Sequence, residues 1–209
     1  MKKALLFLNG DPPTQEYLSD IDRAGRFVLC ADGAYRYLKG VIRPDLILGD
    51  FDSLLDADAD GIGRVRFDAD KDYTDGHLAV EYLLERGYAD IDIYGAFGGR
   101  ADHAYANLSL LYQAKLAGAR ARLLDERQCV MLKSGRITLK NVKGRTISLE
   151  PFLTEAHIIL TKGFKYNLRD KTLDRRHILG ISNVALSDTV GVEAEGELLL
   201  FIERLPGDR

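Results

Sequence analysis

The chain has 209 residues, 46% hydrophobic and 29% charged, with a formal net charge of −3. That is enough apolar material for a real core, in one large domain or two small ones. The slight negative charge argues against a nucleic-acid binder, which carries a basic face, and against a polybasic membrane anchor; no apolar run approaches the ~20 residues of a membrane span.

Taken in order, the chain opens on Met1-Lys2-Lys3 and a short apolar run, Ala4–Leu8, that stops at Asn9-Gly10-Asp11. The run is too short for the core of a signal peptide and reads as a first β-strand. Further apolar runs follow at Phe27–Cys30, Leu46–Leu48, Val65–Phe67, Ile91–Tyr94 and Ala121–Leu124. Helical patterns lie between several of them: a weak one at Glu16–Ala24, then Gly76–Arg86 with Leu78, Ala79, Tyr82 and Leu83 on one face, then Asp102–Ala117 with Ala104, Leu108, Leu111 and Lys115 at helical spacing. Strands alternating with helices predict a mostly parallel, Rossmann-like sheet covered on both faces. After about Glu126 the texture changes to short strand-like runs, at Cys129–Leu132, Arg136–Leu139, Thr146–Pro151, His157–Thr161 and Glu197–Glu203, separated by glycine or charged turns. The expected fold is therefore α/β over residues 1–127, followed by a β-sandwich over 128–209. Cys30 and Cys129 form no CxxC and no metal pattern, and read as buried thiols of a cytoplasmic protein.

The stretch from Asp45 to Asp75 holds ten aspartates against three basic residues, Arg64, Arg66 and Lys71. Two sets stand at the ends of apolar segments, as Gly49-Asp50-Phe51-Asp52-Ser53 and as Asp70-Lys71-Asp72-Tyr73-Thr74-Asp75. A buried strand that stops at Gly-Asp delivers a carboxylate to its tip, and carboxylates gathered at one edge repel unless a cation sits among them. A hard divalent cation such as Mg²⁺ takes oxygen ligands and completes its shell with waters and substrate phosphates. Asp50, Asp52 and Asp75 therefore suggest a Mg²⁺-phosphate site, whereas Asp56, Asp58 and Asp60 read equally well as turn formers.

In a parallel sheet, ligands bind beyond the carboxyl ends of the strands. Asn9-Gly10-Asp11, Ala31-Asp32-Gly33-Ala34, Gly49-Asp50-Phe51-Asp52, Asp68–Asp75 and Gly98-Gly99-Arg100-Ala101-Asp102-His103 all follow predicted strands, so all fall on that edge. The Gly-Gly-Arg segment precedes a helix, whose N-terminus favours an anion, and Arg100 offers a planar fork for phosphate. Asp102 is either a further metal ligand or the N-cap of that helix. Ala31-Asp32-Gly33 either approaches a nucleotide or is a plain strand-to-helix turn, and His103 reads as a capping or packing residue. His77, His157 and His177 have no metal spacing. P-loop, dinucleotide and nucleophile-elbow fingerprints are missing. In the second half, Gly163-Phe164-Lys165-Tyr166-Asn167-Leu168 and Gly180-Ile181-Ser182-Asn183 are either hairpin turns or the lining of a pocket for a flat heteroaromatic ring.

Together, and in this order, Ala31-Asp32-Gly33, Gly49-Asp50-Phe51-Asp52-Ser53, Asp70–Asp75, Gly98–His103 with Ala106-Asn107-Leu108, Gly163-Phe164-Lys165-Tyr166 and Ser182-Asn183 resemble the thiamin pyrophosphokinase family. The resemblance spans almost the whole chain. It implies an α/β domain that binds ATP, a C-terminal β-sandwich, and a homodimer with thiamin bound where subunits meet. It places the Mg²⁺ and phosphate carboxylates, the catalytic set, on Asp50, Asp52, Asp75 and Asp102. ATP contacts fall on Asp32, Gly33, Lys71, Asp72, Gly99 and Arg100, and thiamin contacts on Tyr166, Ser182 and Asn183. Two positions depart from the pattern: Tyr166 stands where some members carry Trp, and Lys71 where some carry Gln. The implied reaction transfers a diphosphate group from ATP to the thiamin hydroxyl. The alternatives are a Mg²⁺-dependent phosphohydrolase and a non-catalytic nucleotide- or vitamin-binding module. Nucleic acid and membrane are not expected partners.

Overall fold

The computed structural model of the chain describes residues 1–51, 61–67, 72–205 and 207–208. The chain divides into two compact units, Met1–Glu126 and Arg127–Asp208.

The first unit contains strands β1 (Lys2–Phe7), β2 (Arg26–Ala31), β3 (Leu46–Gly49), β4 (Gly63–Arg66), β5 (Tyr88–Tyr94) and β6 (Arg120–Leu124), with helices α1 (Gln15–Asp20), α2 (Tyr35–Leu38), α3 (Asp75–Glu85) and α4 (Ala101–Leu116). Its strands lie in the order β6-β5-β1-β2-β3-β4, and every neighbouring pair is parallel. The central strands are buried on both faces, which is why they read as continuous apolar runs rather than alternating ones: Leu5, Leu6, Phe7, Leu29, Ile47, Leu48, Ile91 and Ile93 are fully buried. From β1 the chain steps outward through β2, β3 and β4, then returns to the other side of β1 as β5. The strand order reverses there, so the loops after β1 and β5 lie side by side at a switch point of the kind where such sheets bind ligands. Helix α3 packs on β1, β2, β3 and β5, and α4 packs on α3 and β6. A 3₁₀ turn, Asp32–Ala34, and the short helix α2 follow β2 directly. The predicted apolar stripe of α4 shifts by a residue: its buried side chains are Leu110, Leu111 and Ala114.

The second unit is a β-sandwich in which four of the five predicted runs merge into two long strands and two strands go unpredicted. The runs at Cys129–Leu132 and Arg136–Leu139 are one strand, β7 (Gln128–Lys140), and those at Thr146–Pro151 and His157–Thr161 are also one, β8 (Thr146–Lys162). They are followed by β9 (Arg169–Leu173), β10 (Asn183–Val184) and β11 (Thr189–Glu203). Each long strand carries one residue with positive φ near its middle, namely Gly135 (73°), Leu153 (65°) and Gly196 (93°). The ladder register breaks at the same level. A strand that bends there leaves one layer and enters the other, the corner by which two packed sheets share strands. One half pairs β10, Ile147–Phe152 of β8, Glu197–Glu203 of β11 and Gln128–Lys133 of β7; the other pairs β9, Ala156–Lys162, Gly191–Glu195 and Gly135–Thr138. Ile147, Leu149, Leu198 and Leu200 from the first half form one buried cluster with Ile137, Ile158, Leu173 and Val192 from the second, so the halves pack face to face. β9 escapes the sequence pattern because only Leu173 of its five residues is buried. No helix among the described residues is long and apolar enough to cross a membrane.

Candidate active site

The polar segments of the first unit follow the C-terminal ends of its strands. Beyond β1 and β5 the backbone ladder continues into the loops: Leu8 N donates to Tyr94 O, Gly10 N to Gly95 O and Asp11 N to Phe97 O, each at 2.8 Å. A side chain at Gly10 would overlap the Gly95 and Phe97 carbonyls, and one at Gly98 the Asp11 carboxylate. Asp11 Oδ1 accepts from Gly99 N at 3.1 Å, so this carboxylate shapes the Gly98-Gly99 turn, in which both residues have positive φ (83° and 61°). Asp11 has no role in the sequence reading; its position in Asn9-Gly10-Asp11, just past a strand end, was the available signal.

Asp32 organises the neighbouring strand ends. It is buried, and its Oδ1 accepts from Gly33 N at 2.6 Å while Oδ2 accepts from Phe51 N at 3.0 Å. A Cβ on Gly49 would come within 2.5 Å of the Asp32 carboxyl carbon; the Gly-Asp of Gly49-Asp50 is therefore glycine because the Asp32 carboxyl occupies that space. Phe51 takes φ = 61°, a left-handed conformation that is costly for a bulky residue and clusters at functional sites. Burial pushes the Asp32 carboxyl up; the Phe51 and Gly33 N–H groups oppose this, and the negative charges of Asp75 and Asp50 add to it. Asp50 and Asp75, from two other segments, thus both act electrostatically on Asp32 at this edge. Asp75 opens α3, whose N-cap Thr74 accepts from His77 N through Oγ1 at 3.2 Å. A side chain on Gly76, behind it, would crowd Asn107 Oδ1 and Leu110, and Asn107 Nδ2 donates to Ala96 O at 2.8 Å. Asn107 therefore ties α4 to the loop after β5.

Asp102 is the second residue of α4, not its N-cap, which is Arg100. Arg100 grips Asp102 through both oxygens, Nε to Oδ1 at 3.1 Å and an NH₂ nitrogen to Oδ2 at 2.6 Å. Those bonds hold the Asp102 carboxyl at about 2, well below its ordinary range. Asp72 is exposed at the approach to α3. Asp52 and Lys71, like Asp56, Asp58 and Asp60, lie outside the described residues.

In the second unit the structure brings Tyr166 and Asn183 together. Asn183 Oδ1 accepts from Tyr166 N at 3.1 Å and from Val184 N at 2.9 Å, and its Nδ2 donates to Tyr166 O at 2.7 Å. The buried Asn183 amide thereby braces the turn after β8, while the Tyr166 ring is 61% exposed with Lys165 Nζ 5.3 Å from its centre. Ser182 is exposed at φ = 54°, and its N–H donates to Ser148 Oγ at 2.9 Å.

Fold and edge define a class: a parallel α/β unit that gathers carboxylates and a Gly-Gly-Arg turn at its strand ends, followed by a β-sandwich that presents an aromatic residue. Residues 20–123 match the family model "Thiamin pyrophosphokinase, catalytic domain", and residues 135–199 match "Thiamin pyrophosphokinase, vitamin B1 binding domain". The chain is 34% identical over 158 residues to a thiamine pyrophosphokinase of Bacillus subtilis (strain 168), covering 72% of this chain and 74% of that one. It is 24% identical over 213 residues to thiamin pyrophosphokinase 1 of Caenorhabditis elegans, covering 95% and 88%. The crystal structure of a Bacillus subtilis thiamine pyrophosphokinase superposes with a TM-score of 0.81 at 26% identity, over 98% of this chain and 100% of that one. The chain belongs to the thiamin pyrophosphokinase family.

Proposed function

We infer that the chain is a thiamin diphosphokinase, an enzyme that transfers a diphosphate group from ATP to the hydroxyl of thiamin and releases AMP. Family membership supports this activity over a phosphohydrolase or a non-catalytic binding module. The observation that carries the assignment of chemistry to particular residues is the convergence of Asp32, Asp50 and Asp75 at one strand edge. In the reaction the thiamin oxygen bonds to the β-phosphorus of ATP, the bond from that phosphorus to the α–β bridging oxygen breaks, and the bridging oxygen leaves on AMP. Such a transfer needs positioning and charge neutralisation more than covalent help from the protein.

Asp50, Asp52, Asp75 and Asp102 are the proposed metal-binding and catalytic carboxylates. Among the described residues no three such groups stand close enough to enclose a metal ion by themselves. The donor set nevertheless suits Mg²⁺, because it offers only oxygen, repels itself, and leaves room for phosphate and water to complete the shell. Bound there, Mg²⁺ supplies the positive charge that offsets both carboxylates and phosphates. Asp32 positions the edge by accepting from the N–H of Phe51, the residue after Asp50, and by filling the space beside Gly49. Gly33, Lys71, Asp72 and Gly99 belong with Asp32 to the proposed ATP contacts, and Arg100 exchanges its grip on Asp102 for phosphate oxygens. EDTA is expected to abolish AMP formation and added Mg²⁺ to restore it; full turnover in chelator would remove the metal from the scheme. Thiamin-dependent AMP release, followed by chromatography, tests the activity itself, since a hydrolase would release product without thiamin.

Tyr166, Ser182 and Asn183 are the proposed thiamin contacts, and Asn183 also braces the Tyr166 backbone. A homodimer with thiamin at the subunit interface, in the cytoplasm, completes the reading. Ring stacking of this kind contributes about 0.5–1.5 kcal/mol beyond buried area, so Tyr166→Ala should raise the thiamin KM several-fold and leave the ATP KM nearly unchanged. The reverse pattern would detach the β-sandwich from thiamin. A fully active monomer in sedimentation would defeat the shared site.

A further inference from the structure

An edge lined with carboxylates repels a polyphosphate, and a metal ion offsets only part of that charge. The described residues place one more cation at this edge. Arg66 is the last residue of β4 and stands in register with Gly49 of β3, as Leu48 does with Ala31 at the end of β2. Residues in register on parallel strands point to the same face of the sheet. The Asp32 carboxyl occupies the space where a Gly49 side chain would stand, so Asp32 and Arg66 lie on one face with only glycine between them. The Arg66 guanidinium sits over the Phe51 ring, 5.8 Å from its centre, and Phe51 is the residue that follows Asp50 and donates its N–H to Asp32. Arg100, the other arginine of the edge, is gripped by Asp102; Arg66 makes no ion pair among the described residues and is exposed. An arginine resting on an aromatic face keeps its N–H donors for a ligand, and its planar fork matches phosphate oxygens.

We propose that Arg66 binds the polyphosphate chain of ATP, acting as a phosphate-positioning residue beside the carboxylates of the β2 and β3 strand ends. The proposal rests on the ATP-dependent reading of the site. Phe51, held in its left-handed conformation by Asp32, presents the ring on which the guanidinium lies, so the buried carboxylate and the cation are set by the same turn.

The test compares wild type, Arg66→Gln and Arg66→Lys. Calorimetry with inorganic tripolyphosphate and Mg²⁺ reads phosphate binding directly, and initial rates read the two substrates. Losing one charge-assisted contact of this type should weaken tripolyphosphate binding and raise the ATP KM by about tenfold in Arg66→Gln. The thiamin KM and the melting temperature should stay close to wild type, and Arg66→Lys should recover part of the loss. Unchanged tripolyphosphate affinity in Arg66→Gln overturns the proposal, as does a loss confined to thermal stability. If wild type formed no AMP with thiamin, the functional reading would fall. Arg66-dependent tripolyphosphate binding would then still uphold the phosphate site.

Discussion

Asp75→Asn is expected to lower kcat by ~10²-fold or more, the scale for removing one electrostatic contact from a preorganised site, without unfolding the protein. The substitution is nearly isosteric, and the folding consequences oppose each other. A carboxylate in the first turn of α3 gains about 0.3–1 kcal/mol from the helix dipole, which Asn forfeits. Asn also removes one of the charges that act on buried Asp32, which relieves repulsion. The Thr74 cap and the space that Gly76 leaves for Asn107 and Leu110 do not involve the Asp75 carboxylate. Thermal unfolding should therefore stay near wild type while AMP and thiamin diphosphate formation collapse. Asp50→Asn should behave alike, since Asp50 stands on the same edge. Near-normal turnover in either variant would take that residue out of the site.

The largest stability loss is expected from Asp92→Ala, away from the proposed chemistry. Asp92 lies on β5 and is only 4% exposed. It accepts from Arg26 at 2.6 Å, and from Arg122 through Nε at 2.7 Å and a terminal nitrogen at 2.8 Å. Arg26 reaches it from β2 and Arg122 from β6, so one carboxylate links three strands of the sheet. Removing the carboxylate leaves Arg26 and Arg122 without it, and because their side chains keep 17% and 37% exposure, water offsets part of the loss, which is expected at about 1–3 kcal/mol. Urea denaturation should report a loss on that scale, with the slope unchanged. A loss below about 1 kcal/mol, the value of a surface pair, would show that water replaces the carboxylate fully and that the link is dispensable.

These two residues illustrate what is legible in the sequence. Five of the six strands of the first unit can be read directly, because a parallel sheet buries both faces and so writes each strand as a short apolar run; β4, with none of its residues buried, meets the Val65–Phe67 run only at its end. The edge that carries the polar segments can also be read, since each of those runs is followed within two residues by Gly or Asp. Family membership follows from the same segments in the same order. Asp92 is different: nothing in Ile91-Asp92-Ile93 announces that its partners come from β2 and β6, which lie 66 and 30 residues away.

Several features of the second unit depend on tertiary structure for a related reason. A bend at Gly135, Leu153 or Gly196 interrupts the alternation of apolar and polar residues, so a strand that changes layers looks like two strands and a turn. β9 buries only Leu173 and β10 is two residues long, and both pair with β8, leaving almost no pattern to read. That the Asn183 amide bonds the Tyr166 backbone is likewise visible only in the fold.

By itself, then, the sequence determines the α/β-then-β order, the strand edge on which the polar segments gather, and the family, because these rest on local periodicity and on motifs contiguous in the chain. The fold alone decides that Gly49 makes room for Asp32, that Arg100 holds Asp102, that Asp11 shapes the Gly98-Gly99 turn, and that Arg66 rests on Phe51. Each of these joins groups from different segments, and their energies depend on burial, distance and direction, which exist only once the chain has folded.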